Sequence, residues 1–284
     1  MLWSYYLRLT IFRMRSYPSK VILFGEHSLL YGGEGLALPG RDYCGHWNRG
    51  NAQHFGTDLF RLAEYLLVHA HSFNNSLNVP AFLKDAEDGW FFDSNIPVGY
   101  GSGSSGAYSA ALYDRYGDIK NRDTEKMKAD MALIESYFHG QSSGIDPLVS
   151  YCNRPFHFVD GMINEASLSD DLTGHFKLVD TRIPRHGSTY IEMFGNKMND
   201  KVFADKIYNT LIPAVSNAIE ATLENNQVRL KNLFFEISYF QLVWMPEFIP
   251  LTWIRTWEHR LSENTGFLKL CGAGGGGFLL EYRG

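Results

Sequence analysis

The stretch PVGYGSGSSGAYS, residues 97–109, is a glycine- and serine-rich loop that runs into a predicted helix. Glycines let the backbone take positive φ angles and approach a ligand closely. Ser104 and Ser105 add hydroxyl groups, and the free N–H groups of the following helix would point at the loop. The stretch predicts an anion or phosphate site, although taken alone it leaves a flexible surface loop open. The glycines of the loop are Gly99, Gly101, Gly103 and Gly106.

Two better-known glycine loops do not describe this stretch. Its G-x-G-x-x-G pattern at 101–106 formally matches the dinucleotide fingerprint. That fingerprint needs a strand running straight into the glycines and an acidic residue about 20 positions later. Pro97 interrupts the approach, and the next acidic residue, Asp114, comes too early. A Walker A loop would need Gly-Lys-Ser/Thr, which is missing here. The pattern therefore favours a phosphate cradle of a third type.

The composition of the 284 residues excludes several classes of protein. The chain is 45% hydrophobic and 20% charged with a net charge of −5, which is ordinary for a globular protein and unlike a basic nucleic-acid binder. No stretch approaches the roughly 18 apolar residues of a membrane span. Three separated cysteines fit neither a disulfide framework nor a zinc site, so we expect a reducing cytoplasm. Residues 1–14 lack the features of a signal peptide, which leaves an extra strand, a disordered leader or a start at Met14.

Two carboxylates flank a tight turn in the middle of the chain. Glu135 lies late in a helix predicted over residues 124–139, and Asp146 follows eleven residues later, after a Gly-Ser turn. A magnesium nucleotide needs a carboxylate near the metal, and a hydroxyl acceptor needs a base or an orienting carboxylate. Two surface charges are the alternative. A G-x-S-x-G pattern at 140–144 resembles a hydrolase elbow, but the residues before it are helical, whereas that elbow needs a strand.

Two further segments complete the set of candidates. Lys20 begins a buried strand predicted over residues 17–24, so it needs a partner such as phosphate or Asp146, unless it only extends its ammonium to solvent. The sequence GAGGGG at 272–277 lies between two apolar strands. Such a glycine run is entropically costly. It indicates close approach to a ligand or to the first glycine loop, with a tight hairpin as the alternative.

These segments, in this order, resemble the kinase superfamily named after galactokinase, homoserine kinase, mevalonate kinase and phosphomevalonate kinase, the GHMP kinases. PSKVILFGEH, PVGYGSGSSGA and KLCGAGGGGF are similar to its three motifs. Ser19 stands where Gly or Ala is usual, and Ser102 where Leu is usual. Within the superfamily the mevalonate kinase family is the most similar, through KVILFGEHSLLYG, the HG and GID elements at 139–140 and 144–146, and DTRIPRHGST. Ser142 replaces a proline of that pattern.

The resemblance implies an α+β, two-domain GHMP-kinase fold. Residues 1–170 would form an ATP- and phosphate-binding domain like domain 2 of ribosomal protein S5, and residues 171–284 a ferredoxin-like domain. The implied reaction is ATP- and Mg²⁺-dependent phosphorylation of mevalonate to 5-phosphomevalonate. A sister kinase acting on a sugar or another small alcohol, and a non-catalytic ligand-binding homologue, are the alternatives. Because superfamily members are often dimers, a homodimer is also implied.

The resemblance also assigns roles to individual residues. Asp146 would be the base or orienting carboxylate, and Lys20 would stabilise charge beside it. Ser105 and Glu135 would hold Mg²⁺. The phosphate cradle would be formed by Gly101, Gly103, Ser104, Ser105 and Gly106, and the acceptor pocket would be lined by Glu26, His27 and Arg185. The superfamily continues with a helix and a strand after the third motif, so either these elements are dispensable here or the sequence is shortened.

Overall fold

The computed structural model describes residues 15–50, 59–184 and 187–284. The alternatives for residues 1–14 and the predicted role of Arg185 therefore lie outside the described residues. The strands are β1 (Ser16–Phe24), β2 (Gly35–Arg49), β3 (Trp90–Ser94), β4 (Phe156–Val159), β5 (Met162–Glu165), β6 (Phe176–Asp180), β7 (Phe267–Leu270) and β8 (Phe278–Tyr282). The helices are α1 (Leu59–Val68), α2 (Val79–Glu87), α3 (Ser104–Tyr116), α4 (Thr124–His139), α5 (Ile145–Cys152), α6 (Asp170–Gly174), α7 (Gly187–Lys197), α8 (Lys201–Lys206), α9 (Ile212–Leu223), α10 (Gln227–Trp244) and α11 (Leu251–Glu263).

The first sheet is built around the long strand β2. Strand order is β1-β2-β4-β5, and β3 pairs with the far end of β2, so β2 is shared by three antiparallel partners. The continuous apolar run of β1 is buried along nearly its whole length, as its sequence predicts. The backbone N–H of Lys20 in β1 donates to the carbonyl of Ser102 at 2.9 Å. The glycine loop therefore lies along the open edge of this sheet.

The second sheet is antiparallel and has the order β6-β8-β7. Every residue of β7 and β8 is buried. Helices α9, α10 and α11 pack with this sheet in one hydrophobic core, which contains Phe234 and Trp257. Val21 and Phe24 of β1 belong to the same core, whereas Tyr17 of β1 belongs to the other core, with α3 and α5. Strand β1 thus joins the two halves of the molecule and carries Lys20 between them.

Several predictions from the sequence can be compared with this fold. The strand at 17–24, the helix at 124–139 and the mixed α+β class are confirmed. The N-cap of this helix is Asp123, whose carboxylate accepts from the N–H of Lys126 at 3.0 Å. The predicted boundary between residues 170 and 171 falls at the start of α6. None of the helices in the described ranges is long and apolar enough to cross a membrane.

Candidate active site

The glycine loop leads directly into helix α3. The N-cap residue of α3 is Gly103, whose φ of 78° is in the left-handed region that favours glycine. A Cβ on Gly106 would lie 2.7 Å from the Cβ of Asp146 and 2.9 Å from its carbonyl carbon. Gly106 therefore allows the first turn of α3 to pack against the first turn of α5. The loop, the start of α3 and the start of α5 meet at one place.

Lys20 and Asp146 form an ion pair at this meeting point. The Lys20 Nζ lies 2.8 Å from the Asp146 Oδ1, with the lysine side chain 5% exposed and the carboxylate 26% exposed. Asp146 lies in the first turn of α5, where the positive end of the helix dipole favours a negative charge. Lys20, which lies in the middle of β1, thus has a partner and does not extend to solvent. The carboxylate remains accessible from outside the protein, as a group that meets a substrate must be.

Glu135 projects from α4 into the same region and is buried. Its carboxylate accepts hydrogen bonds from the Ser105 Oγ at 2.9 Å and from the Ser142 Oγ at 2.5 Å. Burial and the nearby Asp146 carboxylate raise the pKa of Glu135 to about 7, although both serine hydrogen bonds and Lys20 oppose this change. The charged form of Glu135 is therefore destabilised by its surroundings, and a bound cation would stabilise it.

Ser105 and Glu135 fit a Mg²⁺ ion. Mg²⁺ prefers oxygen ligands and is usually held by one or two carboxylates together with substrate phosphates. The serine hydroxyl and the carboxylate are adjacent oxygen donors beside the glycine loop. No group of three or more His, Cys, Asp or Glu residues that could hold a metal occurs within residues 15–50, 59–184 and 187–284. A metal at this place would therefore depend on phosphate oxygens as well as on the protein.

Sequence reasoning missed two contacts in this cluster. In the sequence Ser142 is visible only as a replacement for proline, yet its hydroxyl donates to Glu135, accepts from the N–H of Gly144 and so shapes the turn before α5. His139 is visible only as part of a motif, yet its Nε2 lies 2.8 Å from the Ser105 Oγ. The contact between Ser142 and Glu135, seven residues apart, could not be predicted from their spacing, because it depends on the turn between α4 and α5.

Glu26 and His27, two of the predicted acceptor-pocket residues, contact buried protein groups. The Glu26 carboxylate lies 2.9 Å from the Lys269 Nζ and accepts from the Gln241 Nε2 at 2.9 Å. The His27 ring is 3% exposed and stacks on Phe194, with ring centroids 4.7 Å apart. Both residues also line a small cavity together with Ser28 and Gln241. Their acceptor-pocket role stays a prediction.

The third glycine segment packs against the first glycine loop. A Cβ on Gly277, whose φ is 69°, would lie 2.5 Å from the carbonyl oxygen of Tyr100. The Gly277 N–H donates to the carbonyl of Ile183 at 2.8 Å, and its carbonyl accepts from Thr181. The segment connects β7 to its antiparallel neighbour β8, as a hairpin does. It also approaches the first glycine loop, so the structure is compatible with both predicted reasons for its glycines.

Part of the chain is similar in sequence to GHMP kinases. Residues 65–154 match the model of the GHMP kinases N terminal domain. A mevalonate kinase from Pyrococcus abyssi is 31% identical over 180 residues, which cover 52% of this chain and 51% of that protein. The chain spans about half the length of the curated relatives it matches.

Two solved structures share the fold over nearly the whole chain. The L. major mevalonate kinase in complex with R-mevalonate has a TM-score of 0.63 at 18% identity, covering 95% of this chain and 86% of that one. The Streptococcus pneumoniae phosphomevalonate kinase in complex with phosphomevalonate and AMPPNP has a TM-score of 0.62 at 12% identity, covering 95% and 91%. The resemblance predicted from the motifs is therefore confirmed: residues 65–154 match a GHMP kinase N-terminal domain, and the chain takes up the fold of the GHMP kinases.

Proposed function

We propose that this chain is an ATP- and Mg²⁺-dependent kinase that phosphorylates mevalonate to 5-phosphomevalonate. The observation that carries the proposal is the meeting of two polar pairs at the starts of α3 and α5. One pair is Lys20 with Asp146, 2.8 Å apart, and the other is Ser105 with Glu135, 2.9 Å apart. Phosphoryl transfer needs mainly positioning and charge stabilisation, for which these pairs supply an acceptor-side carboxylate, a cation and oxygen ligands.

On the acceptor side, Asp146 is the group that receives or orients the hydroxyl proton. Its partly exposed carboxylate supports this role, because the hydroxyl must come within hydrogen-bond reach of it. Lys20 is held against Asp146 and would stabilise negative charge that develops on the transferred group. A lysine fixed in advance by a buried strand loses little mobility when the substrate arrives.

On the nucleotide side, the loop around Gly101 and Gly103 and the first turn of α3 offer backbone N–H groups for the phosphates. Ser104 and Gly106 begin that helix, and Ser105 and Glu135 would hold the metal. When bound, Mg²⁺ neutralises negative charge on the phosphates. The raised pKa of Glu135 supports a metal role, because removal of solvent from this carboxylate is unfavourable without a cation.

The acceptor is the finer part of the proposal. Mevalonate is supported by the similarity to the P. abyssi enzyme and by the fold shared with the L. major enzyme, which was solved with R-mevalonate. A sister kinase is the second candidate, because the S. pneumoniae phosphomevalonate kinase has almost the same TM-score. Ser142, which stands in place of a proline, would reshape the turn beside the site. The intact Lys20, Ser105, Glu135 and Asp146 set argues against a non-catalytic homologue.

A panel of acceptors tests the proposal. ADP release from MgATP would be followed with mevalonate, phosphomevalonate, galactose and homoserine, each at several concentrations. We expect turnover with mevalonate to exceed that with every other acceptor. Turnover on another acceptor alone would contradict mevalonate and leave the kinase proposal intact, whereas binding of MgATP without any turnover would favour the non-catalytic homologue.

We also propose that the division near residue 170 separates two domains with the site between them. The two sheets support this, since the strands of the first end at Glu165 and those of the second begin at Phe176. A cytoplasmic setting is supported by the three cysteines without a disulfide. The homodimer stays a prediction that size-exclusion chromatography with light scattering can test.

A further inference from the structure

A second lysine–carboxylate cluster joins the first motif to the end of strand β7. The Lys269 Nζ lies 2.9 Å from the Glu26 carboxylate, and the two side chains are 0% and 4% exposed. Gln241 of α10 is equally buried and donates its Nε2 to the Glu26 Oε1 at 2.9 Å. Glu26 and Gln241 also line a small cavity together with His27. With side chains this deeply buried, the cluster would influence a reaction mainly through the residues that it positions.

The cluster holds both polar backbone groups of Leu270. The Leu270 N–H donates to the Gln241 Oε1 at 2.8 Å, and the Leu270 carbonyl accepts from the Lys269 Nζ at 2.6 Å. Leu270 is the last residue of β7, immediately before the glycine segment 271–277. Since Glu26 binds both Gln241 and Lys269, it indirectly fixes the point and direction at which that segment leaves the sheet.

The segment 271–277 depends on such anchors because it is almost entirely glycine. Its five glycines all have positive φ angles, and a glycine backbone loses more freedom on ordering than any other. Beyond Leu270 the segment contacts the first motif, where the His27 Nε2 lies 3.3 Å from the Ala273 carbonyl oxygen. At its end, Gly277 packs against Tyr100 of the first glycine loop. A shift at Leu270 would therefore reach the phosphate cradle.

We propose that Glu26, Gln241 and Lys269 form a clasp that positions the 271–277 segment against the first glycine loop and thereby sets the affinity for MgATP. These are positioning residues, since none of them lies at the surface of the site. The identity of the ligand rests on the function proposed above, whereas the positioning of the segment does not. The clasp gives Glu26 a positioning role that the sequence did not predict.

Two variants test the clasp without leaving a buried charge unpaired. Glu26→Gln combined with Lys269→Met removes both charges together, and Gln241→Met removes two hydrogen bonds at nearly constant side-chain volume. For each, hydrogen exchange of the peptide covering 271–277 would be measured in the ligand-free protein, and the Kd of MgATP by calorimetry without acceptor. We expect at least about tenfold faster exchange in this peptide and about tenfold weaker MgATP binding.

Glu281→Gln is the matched control. Glu281 on β8 is another buried carboxylate, 4% exposed, and pairs with Arg260 of α11 and with Arg283. A clasp that only stabilises the fold predicts that the control and the clasp variants lose thermal stability alike, with unchanged loop exchange and MgATP affinity. That result would overturn the proposal. If the double variant does not fold, Gln241→Met alone tests the proposal, through hydrogen exchange of the 271–277 peptide and the Kd of MgATP.

The same experiment separates the clasp from the proposed function. If the wild-type chain binds no MgATP, the kinase proposal fails, and hydrogen exchange in the ligand-free protein still shows whether the clasp orders the segment. If MgATP binds but no acceptor turns over, the affinity comparison remains valid. Unchanged exchange in both clasp variants would contradict the positioning role in every case.

Discussion

Two lysine–carboxylate pairs of almost equal length have different surroundings in this molecule. Lys20 and Asp146 are 2.8 Å apart, and Lys269 and Glu26 are 2.9 Å apart. The first pair has a carboxylate that is 26% exposed, whereas both side chains of the second pair are almost completely buried. The two pairs differ in access to water and not in the distance between their charges. The carboxylate of the first pair can therefore contact a substrate, whereas the second pair stabilises the interior of the protein.

The difference has an energetic side as well. An exposed carboxylate that loses its lysine is re-solvated, whereas a buried charge that loses its partner keeps the full cost of desolvation. The open pair should therefore dominate turnover, and the buried pair should dominate stability. Substitutions at the two pairs are expected to give effects in different measurements.

The largest expected effect is on turnover at the open pair. Asp146→Ala removes the carboxylate that orients the acceptor, so we expect kcat to fall by about 10²–10⁴-fold while MgATP still binds. Asp170→Ala is the control, because Asp170 is also an aspartate in an ion pair, with Arg41, but it is 86% exposed. Steady-state kinetics with the accepted substrate give kcat, and calorimetry gives the Kd of MgATP. A loss of kcat below tenfold would remove Asp146 from the catalytic role.

The next effect is on stability at the buried pair. Glu26→Gln leaves the Lys269 ammonium without a counter-charge in the protein interior, which should lower the free energy of unfolding by about 3–5 kcal/mol. Asp146→Asn is the matched change at the open pair, where the Lys20 ammonium keeps the nearby Glu135 carboxylate as a counter-charge, and we expect a clearly smaller loss. Urea unfolding at pH 7 measures both. Equal losses at the two positions would show that exposure does not separate the pairs.

The comparison also shows what the sequence could predict. The apolar run of β1 and the helical spacing of α4 are local signals, so both elements were found at their positions. The resemblance to GHMP kinases brought Lys20 and Asp146 forward as candidates, and the fold places them in contact.

The contacts of Glu26 could not be predicted in the same way. Its partners Gln241 and Lys269 lie far along the chain, and Gln241 lies in a region where the sequence indicates only helices. The one available signal was Lys269 itself, a charged residue inside the apolar strand FLKL, which requires a buried partner. Which carboxylate that partner is depends on how β1 and β7 pack, and this is a property of the tertiary structure.

A third, pH-dependent effect concerns the carboxylate beside the open pair. The pKa of Glu135 is about 7 in the folded protein against 4.5 ordinarily, so folding disfavours its charged form. The resulting destabilisation is absent below about pH 4.5, grows as the pH rises and is complete above about pH 7. Glu135→Gln is neutral throughout and should be more stable than the wild type above pH 7, by about 3 kcal/mol.

Thermal unfolding of both proteins between pH 4.5 and 8.5 measures this difference. We expect the two curves to converge at the acid end and to separate as the pH rises. In the wild type alone, MgADP should recover stability at pH 8, because the cation compensates the buried charge. A constant difference at every pH would mean that Glu135 does not titrate in this range and that its burial is of no consequence.

The smallest expected effect comes from Ser142, whose hydroxyl donates to the Glu135 carboxylate at 2.5 Å. This hydrogen bond lowers the pKa of Glu135, so in Ser142→Ala the loss of stability should still begin near pH 4.5 but continue about one pH unit further before it levels off. Ser143→Ala is the control, because the Ser143 hydroxyl accepts from the Ile145 N–H on the exposed side of the turn. Since a proline at 142 could not donate this hydrogen bond, the serine makes Glu135 easier to ionise here. If both alanine variants follow the wild-type curve, the Ser142 hydroxyl shapes only the turn, and Glu135 owes its charge to Ser105 and Lys20.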